Sequence, residues 1–306
     1  LKPHVLVDGD PIVYRIGYAS QSRVITNVIE YADGVVEQKR FASKTERNEY
    51  LRMHEGSQVV DEQEEVFPEP IENALGGAKR LLGEIADETG SDALHVILSE
   101  SFGKGNFRHA IARQAVYKGN RKQPRPAHYQ NIRDYLVNYH GAQVVETREA
   151  DDELSIRARR YRDIDIPYVI ASIDKDLDQI PGQHYDFAKK VAYTVSDEDA
   201  RRVFWTQALA GDATDNIPGA WKIGTDTAEK IIRELVDQGV TDRTIFTAIV
   251  EQYKKSAKKK GAKYQAEDAL NVAIETAQLV YLQQKPCELW SPPGVPFGKI
   301  GCEVDD

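Results

Sequence analysis

The sequence predicts an α/β fold: a mostly parallel central sheet with helices on both faces, followed by a C-terminal helical region. Three observations predict it. Short apolar runs alternate with helix-length patterns through the first two-thirds of the chain, as expected of strands joined by crossover helices. From Ser196 to about Gln284 the pattern is helical throughout. Four of the apolar runs end in carboxylates, which in an open parallel sheet stand at the crevice beyond the strand ends. The expected division is a core over 1–205 and a helical region with its tail over 206–306.

In chain order, Val5–Val7 reads as a buried strand ending at Asp8–Gly9–Asp10. Val24–Glu30 and Val35–Ala42 flank Ala32–Asp33–Gly34, a hairpin signal. Acidic Ser57–Pro70 is weakly patterned and expected as a loop. Ile71, Leu75, Ala78, Leu81, Leu82 and Ile85 have helical spacing, and Gly90 closes that helix. Leu94–Leu98 is a second strand, running into Glu100. Helices are expected over Asn106–Tyr117 and Tyr129–Tyr139. Gln143–Val145 is a third strand, ending near Glu149, Asp151 and Asp152 at the head of a helix that runs to about Tyr161. Tyr168–Ala171 is a fourth strand, before Asp174 and Asp176. A second hairpin fits Tyr185–Val195, and 285–306 reads as an irregular tail.

At 306 residues, 41% apolar and 29% charged, the composition is that of an ordinary globular protein. No run approaches the roughly 18 apolar residues of a membrane span, and no secretory signal is visible, although the chain does not open with Met. Cys287 and Cys302 are the only cysteines, which fits a reducing cytosol and excludes a disulfide scaffold or a cysteine-rich zinc site. The net charge of −9 argues against simple coating of nucleic acid. Its distribution is uneven. Between Ser101 and Arg133 stand eight Lys/Arg and no carboxylate, and between Lys254 and Lys263 six Lys and no acid.

Asp8, Glu100, Glu149, Asp151, Asp152, Asp174 and Asp176 follow strand ends. Asp212 and Asp215 join them if the helical part folds back. Like charges so crowded need protons or cations among them. Carboxylate oxygens suit Mg²⁺ or Mn²⁺. Two such ions would suit in-line displacement at phosphorus. Each acid taken alone reads first as a solvated loop residue; it is their clustering that points to cations. Lys118 and Arg121, three residues apart, would share a face if the helix persists, and could reach a scissile phosphate; a solvated basic helix is the plain alternative. Phe107, Tyr117 and Tyr129 read as core aromatics before base stackers. The Lys254–Lys263 run reads as a solvated helix face, with phosphate contact the lesser alternative. No P-loop or nucleophile elbow appears.

These stretches resemble the 5′→3′ exonuclease and flap endonuclease family, which includes stand-alone bacteriophage nucleases and the N-terminal nuclease domain of bacterial DNA polymerase I. The matching stretches are Leu6–Gly9 with Tyr14–Arg15, Phe107–Arg108, Tyr117–Arg121, Glu149–Asp152, Asp174–Leu177 and Gly211–Gly219, in the family's order. The stand-alone phage type is most similar. The resemblance implies Mg²⁺-dependent hydrolysis of phosphodiester bonds at DNA 5′ ends or flaps, or in RNA–DNA hybrids, in the cytoplasm (the host's, for a phage protein). It implies metal ligands at Asp8, Glu149, Asp151, Asp152, Asp174, Asp176, Asp212 and Asp215, with Mn²⁺ able to substitute. It puts Lys118 and Arg121 at the reacting phosphate, at the base of a helical arch. It implies a helix–turn–helix-like DNA grip over Gly211–Ala228 that can hold K⁺. DNA contacts are expected at Arg108, Lys122, Gly219, Lys222, Gly224, Thr225 and Thr227. There are three departures. Glu100 stands where the family usually has Asp, with one extra residue before Phe107. Lys222 replaces a usual glycine. Val24–Pro70 has no counterpart.

Two rival functions remain open on the residues alone. Asp8–Gly9–Asp10 after an apolar strand would also suit a phosphatase or phosphotransferase with an aspartyl intermediate. The same scaffold could also bind nucleic acid without cleaving it.

Overall fold

The computed structural model describes residues 2–100 and 105–300. Lys104 of the basic segment and Cys302 lie outside the described residues. In chain order the elements are β1 (His4–Asp8), α1 (Gly9–Ala19), β2 (Gln21–Glu30), β3 (Val36–Phe41), α2 (Lys44–Met53), β4 (Gln58–Pro68), α3 (Ile71–Thr89), β5 (Leu94–Ser99), α4 (Phe107–Ile111), α5 (Tyr129–His140), β6 (Gln143–Val145), α6 (Ala150–Asp163), β7 (Tyr168–Ala171), β8 (Gly182–Asp186), β9 (Val191–Val195), α7 (Asp197–Ala210), α8 (Thr225–Asp237), α9 (Asp242–Ala257) and α10 (Ala269–Val280). None of the described helices is long and apolar enough to cross a membrane.

The chain divides into two compact units. The first comprises Leu1–Pro11, Leu82–Gln123 and Val137–Asp306. The boundary near residue 205 read from the sequence falls inside it. Its sheet has the order β6-β5-β1-β7-β8-β9. All pairs are parallel except β8 with β9. Val5, Leu6 and Val7 of central β1 are wholly buried, which explains a continuous apolar run in place of alternation. Leu154 and Ala158 of α6 pack on Leu6, Ile97 and Ile170. Helices α7 to α10 enclose a second core around Trp205, Leu209, Ile232, Ile249 and Tyr253.

The second unit comprises Ile12–Leu81 and Pro124–Leu136. It holds an antiparallel sheet of order β3-β2-β4. The acidic stretch expected as a loop is therefore strand β4. Nearly every β4 residue is exposed, so no alternation of apolar and polar residues marks it. Two of its four acids pair with basic neighbours: Arg23 with Glu64 (3.0 Å) and Lys44 with Glu62 (3.1 Å). Helix α2, which apolar periodicity did not reveal, buries none of its residues. Its only mark is at the start, where Ser43 Oγ accepts the Glu46 N–H (3.1 Å) and Glu46 accepts the Ala42 N–H (2.8 Å).

Three expectations are corrected in the first unit. The helix expected over Asn106–Tyr117 ends at Ile111, and residues 112–123 of this unit form neither helix nor strand. Lys118 and Arg121 therefore share a turn, not a helical face. Lys118 has φ +55° and accepts the Arg121 N–H (3.1 Å). The tail contains a small antiparallel pair, Glu288–Leu289 with Gly298–Lys299. Cys287 is disulfide-bonded, where reduced thiols were expected.

The stretch Gly211–Gly219 is shaped by its glycines. Gly211–Asp212 pairs antiparallel with Ile217–Pro218. A Cβ on Gly219 would fall 2.0 Å from the Ala210 carbonyl carbon, and one on Gly211, which has φ +71°, 2.2 Å from the Ile217 oxygen. Gly219, expected at DNA, is thus needed for close backbone approach. Gly219→Ala should cost roughly 2 kcal/mol or more, read as a lowered melting temperature. An unchanged melting temperature would show that the backbone relaxes freely there.

Candidate active site

The carboxyl ends of β1, β5, β6 and β7 deliver Asp8, Glu100, Glu149 and Asp174 respectively, as the strand pattern predicts. The loop Ala213–Asn216 returns from the helical part. The turn Val116–Arg121 docks onto it. The Lys118 N–H donates to Asp215 O (2.8 Å), Asn216 Nδ2 to Val116 O (2.9 Å), and Asn120 Nδ2 to Ala213 O (2.7 Å). Asn216 takes φ +58°, a backbone state Asn tolerates better than most residues. Two motifs some hundred residues apart in sequence therefore form one wall.

On that wall the charges are matched. The Tyr117 hydroxyl donates to Glu149 (2.9 Å) and Asp215 (2.8 Å). Lys118 Nζ bonds Glu149 and lies 3.5 Å from Asp215, and Arg121 pairs with Asp215. Burial alone would raise the Glu149 carboxyl, but Lys118 and Arg108 hold it at about 2. Burial also works to lower the Lys118 ammonium, yet Glu149 and Asp215 keep it above its ordinary range. Lys118 therefore stays a cation through neutral pH.

Beside this wall lies a group of acids short of positive charge. Burial, then Asp10 and Asp174, push the Asp8 carboxyl well up, although Ser172 Oγ donates to it (2.8 Å). Asp151 is pushed well up by burial and by Asp8, Asp174 and Glu149. Asp176 is raised to about 7 by burial, Asp174, Asp212 and Asp215, against a 2.6 Å hydrogen bond from Gln207. Burial, with Asp215, also raises Asp212, although the Thr214 N–H donates to it (2.7 Å).

Two expected roles change. Arg108 and Asp152, expected at DNA and at a metal, pair with each other and are 2% and 0% exposed. The guanidinium makes two bonds to the carboxylate (2.6 and 2.9 Å) and donates to Leu279 O (2.8 Å) and Tyr281 O (2.9 Å). Asp152 also accepts the Gln283 and Glu149 N–H groups (3.1 and 3.2 Å). Neither side chain has a free edge for a ligand. Glu100 turns to the Gly105 N–H (3.4 Å).

Sequence reasoning gave Asp10 a role only in the rival phosphatase, and passed over Tyr117 as a hydroxyl donor, Ser172 and Gln207. Only Asp10, two residues past Asp8, and Tyr117, inside a matched stretch, carried any signal. Lys122, Lys222, Gly224, Thr225 and Thr227 are all exposed, and Lys222 takes φ +60°. Tyr117, Phe107 and Tyr129 are buried at 3%, 9% and 7%, so they serve as core aromatics.

Among the described residues, no three His, Cys, Asp or Glu side chains converge closely enough to hold a metal ion as they stand. The donor chemistry nonetheless fits a hard cation: the unmatched acids offer only oxygen, and burial together with neighbouring acids raises their carboxyls.

Comparison with known proteins finds relatives over about half of the chain. Over 179 residues, 53% of its length, the chain is 30% identical to DNA polymerase I of Bacillus caldotenax. Over 178 residues, 54% of its length, it is 30% identical to the thermostable DNA polymerase I of Thermus thermophilus. Over that half of its length the chain is similar to part of DNA polymerase I. It spans about a fifth of the length of these relatives, the matches covering 20% and 21% of them. No family model matches. Among solved structures, T5 5′-exonuclease with bound zinc aligns over 67% of this chain and 80% of its own at 18% identity, with a TM-score of 0.46. The bacteriophage T5 flap endonuclease in a pseudo-enzyme-product complex with DNA and metal ions gives the same coverage, identity and TM-score. These likenesses are too slight to build on.

These charges lead to two testable outcomes. Arg108→Leu leaves Asp152 buried without its counter-charge and should cost about 3–5 kcal/mol in urea unfolding; a loss under about 1 kcal/mol would mean the pair is solvated. Asp176 is raised in the folded state, from 3.8 to about 7. The folded chain then holds a proton that the unfolded chain has lost, so stability falls as pH rises through that window. In EDTA, Asp176→Asn should gain stability relative to the parent between pH 5 and pH 7.5. A constant difference in melting temperature would refute the assignment.

Proposed function

We propose that this chain is a metal-dependent 5′ nuclease, hydrolysing phosphodiester bonds at DNA 5′ ends or flaps. One observation carries the reading: unmatched carboxylates from separate chain segments, Asp8, Asp151, Asp176 and Asp212, lie within electrostatic reach of one another or of shared neighbours, beside a wall bearing Lys118 and Arg121. Homology to part of DNA polymerase I supports it, as does the resemblance of the motifs to the 5′ nuclease family. A phosphatase with Asp8 as nucleophile would leave the docking of the Val116–Arg121 turn on Ala213–Asn216 without a role.

Asp8, Asp151, Asp174, Asp176 and Asp212 are the proposed holders of divalent cations, Mg²⁺ first. Bound there, two such ions would activate water and offset charge on the phosphate. The protein's own groups do the rest. Glu149 and Asp215, with Tyr117, position the Lys118 ammonium at the edge of the acid group. Because Lys118 stays charged, its role is electrostatic and not that of a base. It opposes the negative charge that builds on the phosphoryl oxygens. Arg121, half-exposed, supplies a second cation. The exposed turn at Lys222–Gly224 and the start of α8 are the proposed duplex contact, with K⁺ held by the turn's carbonyls. The left-handed backbone at Lys222 supports that last point, since it keeps the shape a glycine would give.

The test uses end-labelled duplex, flap and RNA–DNA hybrid substrates with and without Mg²⁺. Asp151→Ala should cut turnover by orders of magnitude while DNA binding in EDTA is kept or improved, because it removes a negative charge facing a phosphate. Lys118→Ala should lower the single-turnover rate at saturating DNA by about a hundredfold. Full Mg²⁺-dependent activity in Asp151→Ala would sink the metal assignment. A change only in affinity for Lys118→Ala would make Lys118 an ordinary backbone contact.

A further inference from the structure

Lysines near a helix C-terminus have a plain structural explanation, since they offset the negative end of the helix dipole. That explains Lys254 and Lys255 in the last turn of α9, where Lys254 also pairs with Glu251 (2.7 Å). It does not explain Lys258, Lys259, Lys260 and Lys263. These lie at or past the helix end, and all four are exposed. Among the described residues, no ion pair engages them. Four exposed cations in six residues, of which only Lys258 acts on a nearby acid, Glu251, make a local positive patch that favours an anion.

The loop that carries them does not float free. The Trp221 indole N–H donates to Lys260 O (3.2 Å), and the Trp221 backbone N–H donates to the Tyr264 hydroxyl (3.2 Å). Gly261 has φ +88°, and a Cβ there would lie 3.3 Å from the Trp221 ring. The loop backbone is thus fastened on both sides of Gly261 to the turn that holds Lys222 and leads into α8. Between Ala220 and Thr227 the only acid is Asp226.

We propose that the loop Lys258–Lys263 and the turn Trp221–Gly224 form one cationic surface for the phosphate backbone of double-stranded nucleic acid, with Trp221 as the residue that positions the loop. This rests on the nuclease reading and extends its substrate grip. A duplex is favoured over a single strand because single-strand sites rely on exposed aromatic faces on which bases stack. Here the two aromatics are engaged: Trp221 covers Gly261, and Tyr264 packs against Tyr253 with ring centroids 5.8 Å apart. What remains for a ligand is charge, which reads phosphates and not bases.

The experiment measures binding of a blunt duplex in EDTA between 50 and 200 mM salt. Each lysine that meets a phosphate contributes about 0.9 to the log–log salt slope. Replacing Lys258, Lys259 and Lys263 together by Gln should flatten that slope by about two to three and weaken binding about tenfold or more. Trp221→Ala removes no charge, yet it should weaken duplex binding in the same way, and in the triple-Gln background it should add little. Trp221→Phe keeps the ring over Gly261 and loses only the indole N–H, so it should fall between. Should Trp221→Ala fail to fold, Trp221→Phe in both backgrounds gives the same non-additivity test. An unchanged slope in the triple variant overturns the proposal, as does a Trp221 effect that simply adds. If the parent protein shows no salt-dependent duplex binding, the nuclease reading itself fails. If the parent binds and cleaves while these variants match it, only the loop assignment falls.

Discussion

The buried pair of Arg108 and Asp152 is the constraint on which the candidate site depends. It ties three distant segments at one point: α4, the head of α6, and the chain leaving α10. Taking two charges out of water costs several kcal/mol for each ion. Here four guanidinium bonds and two backbone N–H groups on the carboxylate offset that cost. The result is a fixed first turn for α6. Successive residues of a helix point roughly 100° apart. With Asp152 held inward, Asp151 is turned toward Asp8 and Asp174.

The cleft then divides its acids by their neighbours. Glu149 and Asp215 have cations and a phenol hydroxyl, and the Glu149 carboxyl is held at about 2. Asp8, Asp151 and Asp176 are crowded mainly by other acids, with Asp174 acting on all three. The same side-chain chemistry therefore meets two settings in one cleft: carboxylates that hold a lysine in place, and carboxyl groups crowded by other acids. A motif of acids cannot show that division. It emerges only once Tyr117 and Lys118 are seen to dock on Ala213–Asn216.

Much of the architecture was legible because it rests on short-range patterns. The parallel strands appear as apolar runs, and their trailing acids mark the crevice. The elements that were missed lack such patterns. Helix α2 and strand β4 bury almost nothing, so no periodicity records them. The early end of α4 was hidden because Ala115, Val116 and Tyr117 continue an apolar pattern, although Tyr117 joins the core from a turn. In the site, the acid positions were legible and their partners were not. Asp152 differs from Asp151 only in what lies behind it, and Arg108 is 44 residues away in sequence.

The acid group poses a problem for any polyanion that must reach it. A phosphate approaching unmatched carboxylates in a half-buried cleft is repelled, and a chain with net charge −9 offers no general attraction. The attraction has to come from local cations, and the fold concentrates these on one stretch. The turn bearing Lys118 and Arg121 docks on Ala213–Asn216. The lysine loop docks on Trp221, only five residues further on. Residues 211–224 thus carry acid toward the cleft at Asp212 and Asp215, while bracing a cationic element against each end. Close glycine packing at 211 and 219 holds the two ends of the intervening loop together. The spacing between the candidate site and the proposed duplex contact then follows from backbone. A phosphate drawn to the lysine loop would be held at a fixed separation from Lys118, as selection of one bond near a 5′ end requires.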